Sequence, residues 1–206
     1  MNKNKKFVIT INRELGSGGR TVGRKLAEQL GVKYYDKAIV QGLTEKYGLT
    51  VDEIERLKAQ EEPSWWSDLQ EYCNSLFNDN HQPKPSTSAM FETERRILRQ
   101  LADEESCVVA GRSGFLIFRE HPNHLNVFIQ ASTEHRIERL MKKQGLTYAA
   151  ALDVIDMVDE AREAYLKKYC DRSRYDTRNY DVVLSMDHLT EDDAVAVIME
   201  YVDRQK

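Results

Sequence analysis

Gly16, Ser17, Gly18 and Gly19, with Arg13 ahead of them and Arg20 and Thr21 behind, have the types and spacing that can hold a phosphate group. Glycines let backbone N–H groups approach an anion and turn inward, while a guanidinium or a hydroxyl adds donors around it. The context suits that chemistry. An apolar, β-branched run (FVITI, residues 7–11) has the composition of a strand buried on both faces. After the glycines comes a helical pattern with Val22, Leu26 and Leu30 on one face and Gly31 as its stop. The start of such a helix contributes unpaired N–H groups and the positive end of its dipole.

The common phosphate loop, GxxxxGK[ST], adds a lysine for the outer phosphates and a hydroxyl for magnesium. In this chain Thr21 offers the hydroxyl, Gly19 stands where the lysine would be, and Arg13 stands where the first glycine would be. Arg20 is the nearest cation and is expected to replace the lysine in part, its fork gripping phosphate oxygens in pairs. The competing reading is a glycine turn that only lets a helix pack closely on a strand.

The rest of the 206-residue chain bounds what such a loop could serve. Hydrophobic residues make up 41% and charged residues 31%, and a mean hydropathy of -0.62 indicates a soluble protein. The length suits one domain carrying a helical insertion. No apolar run is long enough to cross a membrane, and the basic start MNKNKKF leads directly into the first strand, so a cytoplasmic protein is expected. Cys73, Cys107 and Cys170 are odd in number and lack CxxC spacing, which fits a reducing compartment without a zinc site. His81, His121, His124, His135 and His188 show no ligand spacing. The formal net charge of -4 argues against nucleic acid as a partner.

The pattern alternates strands with helices. Strands are expected over 7–11, 32–35, 107–110, 125–130 and 181–185. Helices are expected to follow the glycine turn and to cover 37–47, the stretch opened by the T-V-D-E capping box at Thr50, 64–77 with Trp65, Leu69, Tyr72 and Leu76 on one stripe, and 89–105. Residues 78–88, NDNHQPKPSTS, read as a loop. Ser132 or Thr133 caps a further helix, Thr147 precedes a long one running to about Lys168, and Thr190 caps the last. This order predicts an α/β fold with a parallel sheet and a ligand site at the carboxyl ends of its strands, where Arg13, Asp36 and Arg112 fall. Residues 37–105 then form a helical insertion on the acceptor side, and 160–180 a lid.

Phosphoryl transfer needs a cradle, a magnesium ion, cations around the migrating group and exclusion of water. The cradle is available at Gly16 to Thr21, and cations at Arg112 and in the late cluster Arg162, Lys167, Lys168, Arg172, Arg174 and Arg178. That cluster surrounds a loop that could close over a nucleotide, although a solvated helix face is the plainer reading of any one of its members. Asp36 can cap the helix after it, bind an acceptor, or both. Glu14 either holds a magnesium-bound water or pairs with Arg20.

The ordered segments ITINRELGSGGRT, YYDKAI, VVAGRSGFLIF, AREAYLKKYCDRSR and YDVVLSMDHLTEDDAVAVI resemble, over nearly the full length, the bacterial cytidylate kinase-like proteins of the nucleoside monophosphate kinase group. The resemblance implies a P-loop NTPase-like three-layer fold, with a five-stranded parallel sheet flanked by helices and a lid. It implies ATP- and Mg2+-dependent phosphoryl transfer to CMP or dCMP. It assigns Gly16, Ser17, Gly18, Gly19, Arg20 and Thr21 to the ATP phosphates, with Thr21 on magnesium. It places Asp36, Gly111 and Arg112 on the acceptor side, and Arg162 with Arg172 or Arg174 in the lid. Three features depart from the pattern: the loop lacks lysine, Ala110 and Ser113 flank Gly-Arg where acidic residues are usual, and 37–105 does not match a compact acceptor domain. These leave open a nucleotide-binding regulator without turnover, or a kinase for another small metabolite. The oligomeric state is not indicated.

Overall fold

The computed structural model describes residues 1–36, 87–111 and 113–205. Five strands form one parallel sheet: β1 (Val8–Arg13), β2 (Lys33–Tyr35), β3 (Cys107–Ala110), β4 (His124–Gln130) and β5 (Val182–Ser185). Their order is β2-β3-β1-β4-β5, so β1 is central, with β3 on one side and β4 on the other. The chain leaves β1 towards one edge and later crosses to the other. The carboxyl end of β1 therefore lies at the point where winding reverses, which is where open α/β sheets bind ligands.

The central position of β1 explains its composition. Val8, Ile9 and Ile11 are fully buried, and alternate side chains go to opposite faces. Ile9 and Ile11 join Val22 and Leu26 of helix α1 (Gly19–Leu30) and Val195 and Ile198 of the last helix, α6 (Glu191–Arg204). Val8 joins Phe91, Leu98 and Leu101 of α2 (Thr87–Glu104) and Ile117 of the short α3 (Gly114–Ile117) on the other face. Helices α4 (Thr133–Gln144) and α5 (Tyr148–Lys167) make a smaller core of their own through Ile137, Leu140, Ala151 and Ile155. Helices on both faces of a five-stranded parallel sheet are the architecture the sequence implied.

The helix starts follow their caps. Ser132 Oγ accepts from the His135 N–H, and Thr147 Oγ1 from the Ala150 N–H. Thr190 and Asp193 form a full capping box at α6. Helix α2 begins two residues before the expected 89, and the turn after β3 contains α3, which the sequence pattern missed. The helices expected over 37–47, after Thr50 and over 64–77, and residues 78–86 of the expected loop, lie outside the described residues.

A polar cluster interrupts this otherwise apolar sheet. The Thr10 hydroxyl donates to Asn126 Oδ1 and lies 2.9 Å from His124 Nε2. Burial, chiefly, and the charge of His121 pull the His124 pKa down to about 4, against a smaller opposing hydrogen bond that the ring donates to the Phe118 backbone.

Candidate active site

The glycine segment joins the carboxyl end of β1 to the start of α1. Gly16 and Gly18 have φ of 82° and 87°, left-handed backbone that glycine adopts at little cost. A Cβ on Gly16 would lie 2.8 Å from the Arg136 carbonyl oxygen, so the turn also needs glycine for space. Ser17 is buried, and its hydroxyl lies 3.0 Å from the Glu14 carbonyl and 3.1 Å from that of Ile129, to which it donates. The Ser17 side chain fastens the loop to β4. Helix α1 begins at Gly19, so the segment presents its curve to the helix N-terminus.

A cavity of about 470 Å3 opens beside this loop. Arg13, Gly16, Gly18, Gly19, Arg20 and Thr21 line it from the loop, Asp36 and Gly111 from the ends of β2 and β3, and Arg162 and Arg174 from α5 and the segment after it. Residues from five separate parts of the chain thus meet at one end of the sheet. Arg172 does not line the cavity; it is exposed and donates to Asn179 Oδ1 at 3.2 Å. Arg112 lies outside the described residues.

The charges are arranged around two buried carboxylates. Asp36 is 3% exposed. Its Oδ2 accepts from Arg20 Nε at 3.0 Å, and Arg24 Nη2 approaches the same oxygen at 3.9 Å. Asp159, on the buried face of α5, accepts from Arg136 Nη2, from Arg162 Nη1 at 3.1 Å and from Arg174 Nη1 at 3.4 Å. It also accepts the Leu15 N–H at 3.2 Å, which ties the glycine loop to the same group. Arg162 Nη1, at 3.3 Å, and Arg174 Nη2 both donate to the backbone carbonyl of Arg13.

Glu14 does not pair with Arg20, which is on Asp36. Its Oε2 accepts from the Ala131 N–H at 3.1 Å, and its Oε1 lies 3.5 Å from Arg136 Nη1, so it braces the loop against β4 and α4.

Two contributors escaped the sequence reading. Arg139 of α4 lies over the glycines, its Cζ 3.4 Å from where a Gly18 Cβ would be, and it pairs with Glu191 at 2.7 Å. It also donates to Thr21 Oγ1 at 3.4 Å. Asp159 is the other. Its one available signal was a carboxylate in step with Val154, Ile155, Val158 and Ala161 on a buried helix face.

Thr21 offers one hydroxyl, and among the described residues no group of three His, Cys, Asp or Glu could hold a resident ion. Among the same residues, no helix is long and apolar enough to cross a membrane.

The comparisons with known proteins agree with this geometry. The chain is 26% identical over 208 residues to a cytidylate kinase from Methanopyrus kandleri, covering 95% of this chain and 93% of that relative. It is 23% identical over 133 residues to a shikimate kinase from Actinobacillus succinogenes, covering 62% of this chain and 59% of that one. In three dimensions it matches the crystal structure of an uncharacterized protein from Eubacterium ventriosum with a TM-score of 0.74 and 26% identity, over 98% of this chain and 100% of that one. The family model described as the cytidylate kinase-like family matches residues 8–188. By that match the chain belongs to the cytidylate kinase-like family, and by family and fold it is an ATP-dependent kinase.

Proposed function

We propose that the protein transfers the γ-phosphoryl group of ATP to CMP or dCMP in the cytoplasm. The observation that carries this reading is the single cavity shared by the glycine loop, the arginines 162 and 174, and Asp36 with Gly111. A phosphoryl donor in the loop and an acceptor over the β2 and β3 ends would face one another across that space. Positioning and charge stabilisation are most of what phosphoryl transfer requires from a protein.

The roles follow from the positions. Backbone N–H groups from Gly16 to Gly19, with the start of α1, hold the donor phosphates. Thr21 takes magnesium together with the nucleotide, and the ion supplies charge neutralisation across the phosphates. Arg162 and Arg174 steady the charge that develops on the transferred group. Asp36 orients the acceptor through Arg20 and Arg24, and Arg112 binds its phosphate.

A second acceptor class has a specific observation behind it, the sequence match to a shikimate kinase. In that reading the acceptor is a small hydroxylated metabolite, and the loop and lid keep the same work. ADP formation from ATP and Mg2+ across CMP, dCMP, UMP, AMP, GMP, shikimate and a no-acceptor blank decides between them. Turnover with CMP or dCMP supports the proposal, and turnover with shikimate alone supports the second reading. ATP binding without turnover on any acceptor replaces both with a nucleotide-binding regulator.

A further inference from the structure

The phosphate loop has a glycine where a lysine usually stands and an arginine where its first glycine usually stands. In the structure these two departures occupy one space. A Cβ built on Gly19 would lie 2.6 Å from Arg13 Cβ and 3.0 Å from Arg13 Cγ. No side chain fits at 19 while Arg13 is present, and the usual glycine at 13 would vacate the room a lysine at 19 needs. The Arg13 stem therefore runs through the volume beside the start of α1.

Its guanidinium continues to the end of β3. A Cβ on Gly111 would lie 2.0 Å from Arg13 Nη1, and the φ of 77° at Gly111 favours glycine there as well. The head group thus sits between the glycine loop and the acceptor-side turn, lining their shared cavity.

The head group is also uncommitted. Arg20 is on Asp36, Arg136 on Asp159 and Arg139 on Glu191. The Arg13 side chain has no hydrogen-bond or ion-pair partner among the described residues, and burial, chiefly, draws its pKa below the usual arginine value. One residue back on β1, Asn12 lines the same cavity, is 7% exposed and leaves Nδ2 without a hydrogen-bond partner. A buried donor without an acceptor is costly, and a phosphate oxygen in the cavity would satisfy Asn12 Nδ2 while pairing with the partly buried Arg13 guanidinium.

We infer that Arg13, and not Arg20, is the cation of this phosphate loop: the chain has moved the positive charge from the helix start to the end of β1, exchanging Gly-and-Lys for Arg-and-Gly. The inference rests on the kinase reading above and deepens it. The donor phosphates are gripped from the strand side by a planar, two-pronged group that also reaches the acceptor turn.

The test uses Arg13→Gly, Gly19→Lys and the double variant, with MgATP and inorganic tripolyphosphate as calorimetric probes and thermal melting as the stability readout. Arg13→Gly is expected to melt near the wild type while binding both probes about tenfold to hundredfold more weakly. Gly19→Lys is expected to melt well below the wild type, and the double variant to recover melting temperature and most of the lost affinity. Wild-type affinity in Arg13→Gly overturns the inference while leaving the kinase reading in place, as does a Gly19→Lys variant as stable as the wild type. A wild-type protein that binds neither probe overturns both. Weakened binding in Arg13→Gly, in a protein that turns over no acceptor, upholds the inference and removes the kinase reading.

Discussion

Asp159 Oδ1 lies 3.4 Å from Arg174 Nη1, and the two side chains are 9% and 7% exposed. The pair joins α5 to the segment 15 residues later, and the same carboxylate holds Arg136, Arg162 and the Leu15 N–H. The glycine loop, α4, α5 and the segment after it thus share one acceptor.

Asp159→Ala would leave the guanidiniums of Arg136 and Arg174 buried without their main counter-charge. Breaking a buried pair by removing one partner costs about 3–5 kcal/mol. The variant is expected to lose that much in chemical denaturation and to bind MgATP more weakly, because Leu15 loses its anchor. A variant as stable as the wild type would show that Asp159 is dispensable to the loop.

Arg172 and Arg174 both lie in the segment after α5, yet only Arg174 lines the cavity. Arg174→Lys is expected to lower kcat by about two orders of magnitude, since a point charge replaces a fork in a site that stabilises developing charge. Arg172→Ala, which removes an exposed contact to Asn179, is expected to stay within about threefold of the wild type. Steady-state kinetics with the best acceptor read both, and the reverse order would move the catalytic cation to Arg172.

Gly16→Ala places a Cβ against the Arg136 carbonyl in left-handed backbone. The local cost is about 1–2 kcal/mol from conformation alone. The expected result is a melting temperature lower by a few degrees, and MgATP affinity reduced about tenfold or more. Unchanged affinity would mean that the loop holds no phosphate.

His124 gives the fold a dependence on pH. Its pKa of about 4 in the folded chain is below the unfolded value of 6.5. The unfolded chain therefore binds the extra proton first, and stability falls as pH drops from about 6.5 to about 4, then levels off. The full effect is at most about 3 kcal/mol. Urea denaturation at pH 7 and pH 4.5 should show a larger acid loss in the wild type than in His124→Gln, and equal losses would reject the assignment.

Local chemistry made much of this fold readable. Cys107–Ala110 is a run of four buried residues that can be little other than an interior strand, and Thr147 and Thr190 announce the helices they cap. The glycine loop was visible because its residue types are unusual together. Asp159 was not, because one acid on an amphipathic helix resembles a solvent-facing residue until Arg136 of α4 and Arg174 pack against it. The sequence offers Glu14 a pairing with Arg20 because neighbours in sequence suggest neighbours in space; its partners Ala131 and Arg136 are far along the chain. Helix α3 was hidden by length: four residues after a Gly-Arg-Ser turn carry no periodicity.

Arg162 and Arg174 donate to the carbonyl oxygen of residue 13, a group every amino acid carries. This tether to β1 is therefore indifferent to which side chain occupies that position. Evolution could exchange glycine for arginine there, and an experimenter can exchange it back, without touching the tether. The position separates two inheritances: a main-chain acceptor that belongs to the fold, and a side chain free to change the chemistry of the loop.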